Sequence, residues 1–228
     1  MKRLAAEKAV EQISDGMLLG LGTGSTAREF IDVLGIRVAA GLRVTCIATS
    51  IASERQAEAL GIPIVDRADR PLDLTVDGAD EIDPGLNLIK GLGGALVREK
   101  VVAAASRRML VIATEEKLVP NLGHRCKLPV EVLPLLWERT AATIELLGLT
   151  ATLRPHPGNE DPSVQSPAYV TDNGNFIVDC RLKGLMDPQQ LSADLDAIPG
   201  VIGHGLFVRL ASQAVIAGPH GVRLVDGV

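Results

Sequence analysis

Apolar positions along the chain follow two rhythms. A continuous apolar run at Met17–Leu21 predicts a strand buried on both faces of a parallel sheet, and largely apolar segments at Val44–Ala48, Leu72–Val76 and Met109–Ala113 predict further strands. Between them, apolar residues recurring every three to four positions predict helices over Lys2–Ile13, from Ser25 or Thr26 onward, and over Ile51–Leu60 and Ala95–Ala105. A further strand is expected at Ile62–Val65. Strands alternating with helices imply right-handed crossovers and a doubly wound, mostly parallel α/β sheet. The texture changes after Lys127-Leu128-Pro129-Val130-Glu131. There the pattern predicts helix Leu135–Leu147, strand Thr150–Arg154, and a polar loop holding Pro155, Pro157, Pro162 and Pro167. Short strands Ala168–Thr171 and Phe176–Asp179 then flank the hairpin turn Asp172-Asn173-Gly174-Asn175. Helix Pro188–Ala197 and a closing strand Leu206–Leu210 follow, and Ala214–Ala217 returns to the main sheet. The expected organisation is a main domain of residues 1–125 and 204–228, with residues 126–203 forming a smaller inserted α+β domain.

Composition narrows the function. A chain of 228 residues that is 46% hydrophobic, with 23 glycines, suits a folded α/β protein with many strand-to-helix turns. The formal net charge of -5 argues against a general nucleic-acid surface, and only Trp137, Tyr169, Phe30, Phe176 and Phe207 could stack on bases. An anionic ligand must therefore be held by local features. Cys46, Cys126 and Cys180 show neither a disulfide framework nor zinc-ligand spacing, and His124, His156, His204 and His220 are scattered. No apolar run reaches membrane-spanning length, and Met1-Lys2-Arg3 opens an amphipathic segment rather than a signal peptide, so a cytoplasmic protein is expected.

The chemistry is concentrated in three turns. Gly20-Leu21-Gly22-Thr23-Gly24-Ser25-Thr26 joins a strand to a helix, where free backbone N–H groups make an anion site, although an ordinary N-cap at Ser25 or Thr26 would also explain it. The spacing Gly22-x-Gly24-x-x-Ala27 also fits a dinucleotide fingerprint. Its acidic partner is missing, because the second strand ends Ile47-Ala48-Thr49-Ser50, and no Gly-Lys-Ser/Thr follows, so a single phosphate fits better than a nucleotide. Asp77-Gly78-Ala79-Asp80-Glu81 lies beyond strand Leu72–Val76, at the sheet edge where open α/β sheets bind ligands. Its two aspartates can face one polar ligand, or cap a turn, or hold a metal; the nearby Lys90 competes against metal.

Lys90-Gly91-Leu92-Gly93-Gly94 supplies a cation and a backbone able to form a donor nest, or else a plain loop with a solvated lysine. In Arg98-Glu99-Lys100, Glu99 has apolar helix neighbours that would raise its pKa toward a working base. Arg98 and Lys100 have equally apolar neighbours, so periodicity does not rank the three. Lys117 follows strand Met109–Ala113 and shares the ligand edge, unless it is a solvent-facing charge.

These motifs, in this order and spacing, resemble ribose-5-phosphate isomerase, type A. The likeness extends through Lys-Leu-Pro-Val-Glu-Val at 127–132 and Thr-Asp-Asn-Gly-Asn at 171–175 over nearly the whole chain. Gly203-His204-Gly205-Leu206-Phe207 differs slightly from the family's late glycine-rich stretch. The resemblance implies a Rossmann-like main domain with an inserted α+β domain, usually in a homodimer or homotetramer. It implies interconversion of D-ribose 5-phosphate and D-ribulose 5-phosphate in the non-oxidative pentose phosphate pathway, without metal or organic cofactor. Glu99 matches the proton acceptor; Thr23, Gly24, Ser25, Thr26, Asp77, Gly78, Ala79, Asp80, Lys90, Gly91, Leu92, Gly93 and Lys117 match substrate-binding positions, and Lys2 a phosphate-contacting lysine. On that basis Glu99 moves the carbon-bound proton and Lys90 stabilises the oxyanion. Asp77 and Asp80 orient hydroxyls, with Asp80 favoured to shuttle their proton. A sugar-phosphate deaminase, an acyl-CoA transferase and a non-catalytic sugar-phosphate sensor are the alternatives.

Overall fold

A computed structural model describes residues 1–157, 167–182 and 187–227. In chain order the first half comprises α1 (Lys2–Val10), β1 (Leu18–Leu21), α2 (Ser25–Ala39), β2 (Thr45–Ala48), α3 (Ile51–Ala59), β3 (Leu74–Asp77), β4 (Glu81–Ile82), β5 (Leu88–Ile89), α4 (Leu96–Ala104) and β6 (Met109–Thr114). After a single 3-10 turn at Glu115–Lys117 come β7 (Leu128–Val132), α5 (Trp137–Glu145), β8 (Thr150–Leu153), β9 (Phe176–Arg181), α6 (Pro188–Asp196), β10 (Val201–His204), β11 (Leu206–Phe207), β12 (Gln213–Gly218) and β13 (Gly221–Asp226).

Six strands form the main sheet in the order β13-β12-β6-β3-β1-β2, parallel throughout except for β13. The continuous apolar runs arise because both faces are covered. Along β6, Leu110 and Ile112 join the core beneath α1 and α2, while Met109, Val111 and Ala113 join a second core with Leu88, Ala103 and Phe207. A four-stranded antiparallel sheet, β10-β7-β9-β8, has its own core with Ile144, Leu191 and Leu195 from α5 and α6. The short strands β11-β5-β4 make a third sheet that carries Lys90 and Phe207.

Several expected elements differ from the observed ones. Ile62–Val65 forms only a single bridge, Cys46 to Ile64, because Pro63 lacks an N–H and Asp66 turns the chain away. Ala168–Thr171 is likewise reduced to bridges at Ala168 and Val170, although the turn closes as expected with Thr171 N donating to Asn175 O at 2.9 Å. The helix expected at Leu135–Leu147 begins later, since Pro134 and a left-handed Leu136 (φ 55°) precede Trp137. The closing strand stops at Phe207, before Arg209 at φ 56°. The short strands β4 and β5, and strands β7, β10 and β13, are not predicted by the pattern. Pro162 of the polar loop lies outside the described residues.

Candidate active site

The carboxyl ends of β1, β3 and β6 lie side by side, which brings three distant turns to one cleft. The first is the turn from Gly22 into α2. An added Cβ on Gly22 would lie 2.1 Å from Asp77 Oδ1, so glycine is required for β1 and β3 to approach this closely. Thr23 N donates to that same oxygen at 3.1 Å, and Gly24 caps α2, leaving the amides of its first turn available to an anion. Thr23 Oγ1 is within 2.8 Å of both Thr49 Oγ1 and Ser50 Oγ, which fixes the turn to the start of α3. Lys2 Nζ donates to Ser25 Oγ at 2.9 Å, adding a cation from α1, which packs beside α2.

The second element is a buried ionic cluster. Lys90 Nζ lies 3.0 Å from Asp77 Oδ2 and 3.3 Å from Glu99 Oε1, and donates to Gly78 O at 2.8 Å. All three side chains are interior, with Lys90, Asp77 and Glu99 respectively 2%, 0% and 4% exposed. Burial pulls the Lys90 pKa down, but the adjoining carboxylates more than reverse this and hold it above the ordinary lysine range. One ammonium cannot neutralise two buried carboxylates. Burial therefore raises both acids against the pull of Lys90, and Glu99 reaches about 8. Asp77 Oδ2 and Glu99 Oε2 are both buried without a hydrogen bond, but Asp77 is the better supported, since its Oδ1 accepts from the amides of Thr23 and Gly78 and no such backbone donor reaches Glu99 among the described residues. Glu99 is thus the carboxyl group poised to exchange a proton.

Helix α4 places it there. Its inward stripe is Leu96, Glu99, Val102 and Ala103, so Glu99 points into the cleft while Arg98 and Lys100 turn to its sides. Arg98 Nε donates to Asn173 Oδ1, and Lys100 Nζ lies 3.2 Å from His204 Nδ1. Lys90 and Lys100 both lie over the ring of Phe207, at 5.5 and 5.4 Å from its centroid.

The family model described as ribose 5-phosphate isomerase A (phosphoriboisomerase A) matches residues 45–221. Ribose-5-phosphate isomerase A of Bradyrhizobium diazoefficiens is 51% identical, covering 99% of this chain and 95% of the relative. That of Gloeobacter violaceus is 48% identical over the same shares. The chain belongs to the ribose 5-phosphate isomerase A family. A solved D-ribose-5-phosphate isomerase in complex with phospho-erythronic acid aligns with a TM-score of 0.92 at 36% identity, covering 99% of this chain and 97% of that one. Ribose 5-phosphate isomerase A of Methanocaldococcus jannaschii aligns at 0.91 and 35% identity, with the same coverage.

Of the residues that matched the isomerase family in sequence, Thr23, Gly24, Ser25 and Thr26 line one cavity together with Gly78, Ala79 and Asp80. Lys90, Gly91, Gly93, Glu99 and Lys117 complete its wall. Asp77 and Leu92 do not line it: Asp77 lies beneath Lys90, and Leu92 contributes its amide to Asp80 Oδ2 at 2.9 Å with its side chain 45% exposed. Glu81, part of the same acidic run, accepts from the amides of Gly123, Arg125 and Cys126 and so organises a loop. Sequence reasoning missed the hydroxyls of Thr49, Ser50 and Ser53 that hold Thr23, and the ring of Phe207 beside Lys90. Ser50 carried one usable signal, an N-cap position ahead of α3. No group of three or more His, Cys, Asp or Glu side chains is arranged for a metal among the described residues, and no helix there is long and apolar enough to cross a membrane.

Proposed function

We infer that this chain interconverts D-ribose 5-phosphate and D-ribulose 5-phosphate through an enediolate, as a step of the non-oxidative pentose phosphate pathway. One observation carries the reading: the buried Lys90-Asp77-Glu99 cluster reaches, through Lys90 and Glu99, a cavity also lined by Thr23–Thr26 at the N-terminus of α2, a place suited to a phosphate. Glu99 takes the C2 proton of the open-chain aldose and returns it to C1. Lys90 stabilises the charge that develops on the carbonyl oxygen. Asp80, held by the Leu92 amide, moves the proton between O1 and O2, while Asp77 keeps Lys90 and Thr23 in place. The phosphate rests on Thr23–Thr26, with Lys2 and Lys117 supplying positive charge. The relative solved with phospho-erythronic acid supports a small phosphorylated ligand of this kind.

The same reading takes residues 126–203 as an inserted α+β domain, supported by the separate sheet β10-β7-β9-β8 and its own core. A homodimer or homotetramer in the cytoplasm is part of the proposal. The test is conversion of ribose 5-phosphate in D2O, with and without a chelator. Ribulose 5-phosphate should form at the same rate in both, with solvent deuterium incorporated at carbon as the enediolate exchanges its proton through Glu99. Binding of ribose 5-phosphate without turnover would support the sensor instead, whereas ammonia release from an added amino-sugar phosphate, or CoA transfer from an added acyl-CoA, with no ribulose 5-phosphate formed, would support the other enzymes.

A further inference from the structure

The Lys90–Gly94 loop is gripped from outside by a residue the reaction does not touch. Arg154 follows β8, and its guanidinium forms a fork with the Asp179 carboxylate on the adjoining β9, Nε donating to Oδ2 at 2.9 Å and Nη2 to Oδ1. This pair is largely buried, at 11% and 16% side-chain exposure. The remaining Nη1 donates to the carbonyls of Gly91 at 3.1 Å and Leu92 at 3.0 Å. The ring of Tyr169, 5.7 Å from the Arg154 guanidinium, closes the other side, and its hydroxyl abuts Gly94.

A peptide group is planar, and its carbonyl and N–H point in opposite directions. Fixing the Gly91 carbonyl on Arg154 therefore aims the N–H of the same peptide, that of Leu92, the other way. That N–H is the one that donates to Asp80 Oδ2 at 2.9 Å. The second bond, to Leu92 O, fixes the next peptide so that the loop cannot pivot about Leu92.

We propose that Arg154, oriented by Asp179, is a positioning residue for the isomerisation, acting through the Gly91–Leu92 peptide to hold the Asp80 carboxylate at the sugar hydroxyls. The proposal rests on the role given to Asp80 above. A planar fork with five donors reaches Asp179 and both carbonyls at once, and an ammonium does not.

Turnover of ribose 5-phosphate should fall about 10²-fold in Arg154→Ala, the scale of an ångström-sized misplacement, with KM changed less than about threefold because the phosphate turn is untouched. Arg154→Lys should not restore it. Because Arg154 acts through Asp80, Arg154→Ala combined with Asp80→Asn should be no slower than Asp80→Asn alone, within about threefold. A merely structural role would instead multiply the two losses. Should Arg154→Ala fail to fold, Asp179→Asn should show the same pattern with a smaller loss. Native-like turnover in Arg154→Ala, rescue by lysine, or multiplied losses in the double variant would each overturn the proposal. An inactive native chain in the same assay would instead overturn the isomerase reading itself.

Discussion

Replacing Glu99 by glutamine should uncouple activity from stability in opposite directions. Glu99 is 4% exposed, and burial raises its pKa from 4.5 to about 8. Between those values the native state holds a proton that the unfolded chain has released, so the native protein loses stability as pH rises across that window. At about 1.4 kcal/mol per pH unit, ionising this one group costs the native fold about 5 kcal/mol by pH 8 relative to pH 4.5. Glutamine has no charge to bury. It keeps an oxygen for Lys90 and leaves Asp77 as the only carboxylate on that ammonium, which eases ionisation of Asp77 as well.

The variant should therefore match the native protein at pH 5, less about 1 kcal/mol for an amide N–H2 placed where Oε2 has no partner, and exceed it by several kcal/mol at pH 9. Turnover meanwhile falls by about 10²- to 10⁴-fold through loss of the base. In the native enzyme, kcat/KM should rise along an acid limb near pH 8 as free Glu99 ionises, well separated from the substrate phosphate, whose second pKa is about 6. Urea unfolding of both proteins from pH 5 to 9, alongside the native rate profile, provides the assay. Parallel stability curves for native and variant, or a flat native kcat/KM between pH 6 and 9, would refute the reasoning.

Lys90→Met should abolish turnover and destabilise the fold by about 3–5 kcal/mol at pH 8, because Asp77 and Glu99 are left buried together without a cation; the loss should shrink toward pH 5 as they take up protons, as urea midpoints would report. Gly94→Ala should cost at least about 2 kcal/mol, since Gly94 has φ 87° and the new Cβ would lie 2.1 Å from Tyr169 Oη; Tyr169→Ala in the same chain should recover part of the loss in thermal melts. Lys2→Met should raise KM for ribose 5-phosphate about tenfold with kcat unchanged, the effect diminishing at high salt in steady-state assays.

The main sheet was legible because most of its parallel strands are largely apolar and buried along their length, and the crossover helices lie between them in sequence. The ladder β12–β13 and strands β7 and β10 were harder to read. β13 reads Gly221-Val222-Arg223-Leu224-Val225-Asp226 with mostly exposed side chains, and the first two residues of β10 are also accessible, so burial imposes little pattern on either. Pro129 inside β7 has no N–H to give to a ladder, yet its carbonyl accepts from Gly205 N at 2.8 Å and the strand still pairs with β9. The site divided along the same line. The phosphate turn and the acidic turn each follow directly from the end of a strand, so their place at the ligand edge could be read locally. Glu99 could not be chosen over Arg98 and Lys100, because its selection depends on which stripe of α4 faces inward.

That choice is made by groups remote in the chain, and each of the three charges finds its own. Arg98 leaves the cleft for the hairpin turn, where Asn173 accepts from its Nε and the Asp172 carbonyl from its Nη2. Lys100 lies beside His204 and the far side of Phe207, and burial there lowers it to about 8 while the same burial and the Lys100 charge lower His204 to about 4. Glu99 alone meets a cation already tied to Asp77. The same logic governs the loop that carries that cation, since Arg154 and Gly91 are 63 residues apart and Asp172 and Ile51, whose amide donates to the Asp172 carboxylate, 121 apart. Asp77 ends a strand of the parallel sheet and Glu99 lies on α4, whereas Arg98, Lys100 and the loop after Lys90 are held by residues on or beside the four-stranded antiparallel sheet. A local motif can therefore announce the chemistry while the geometry that makes it work is specified by pairings no local pattern contains.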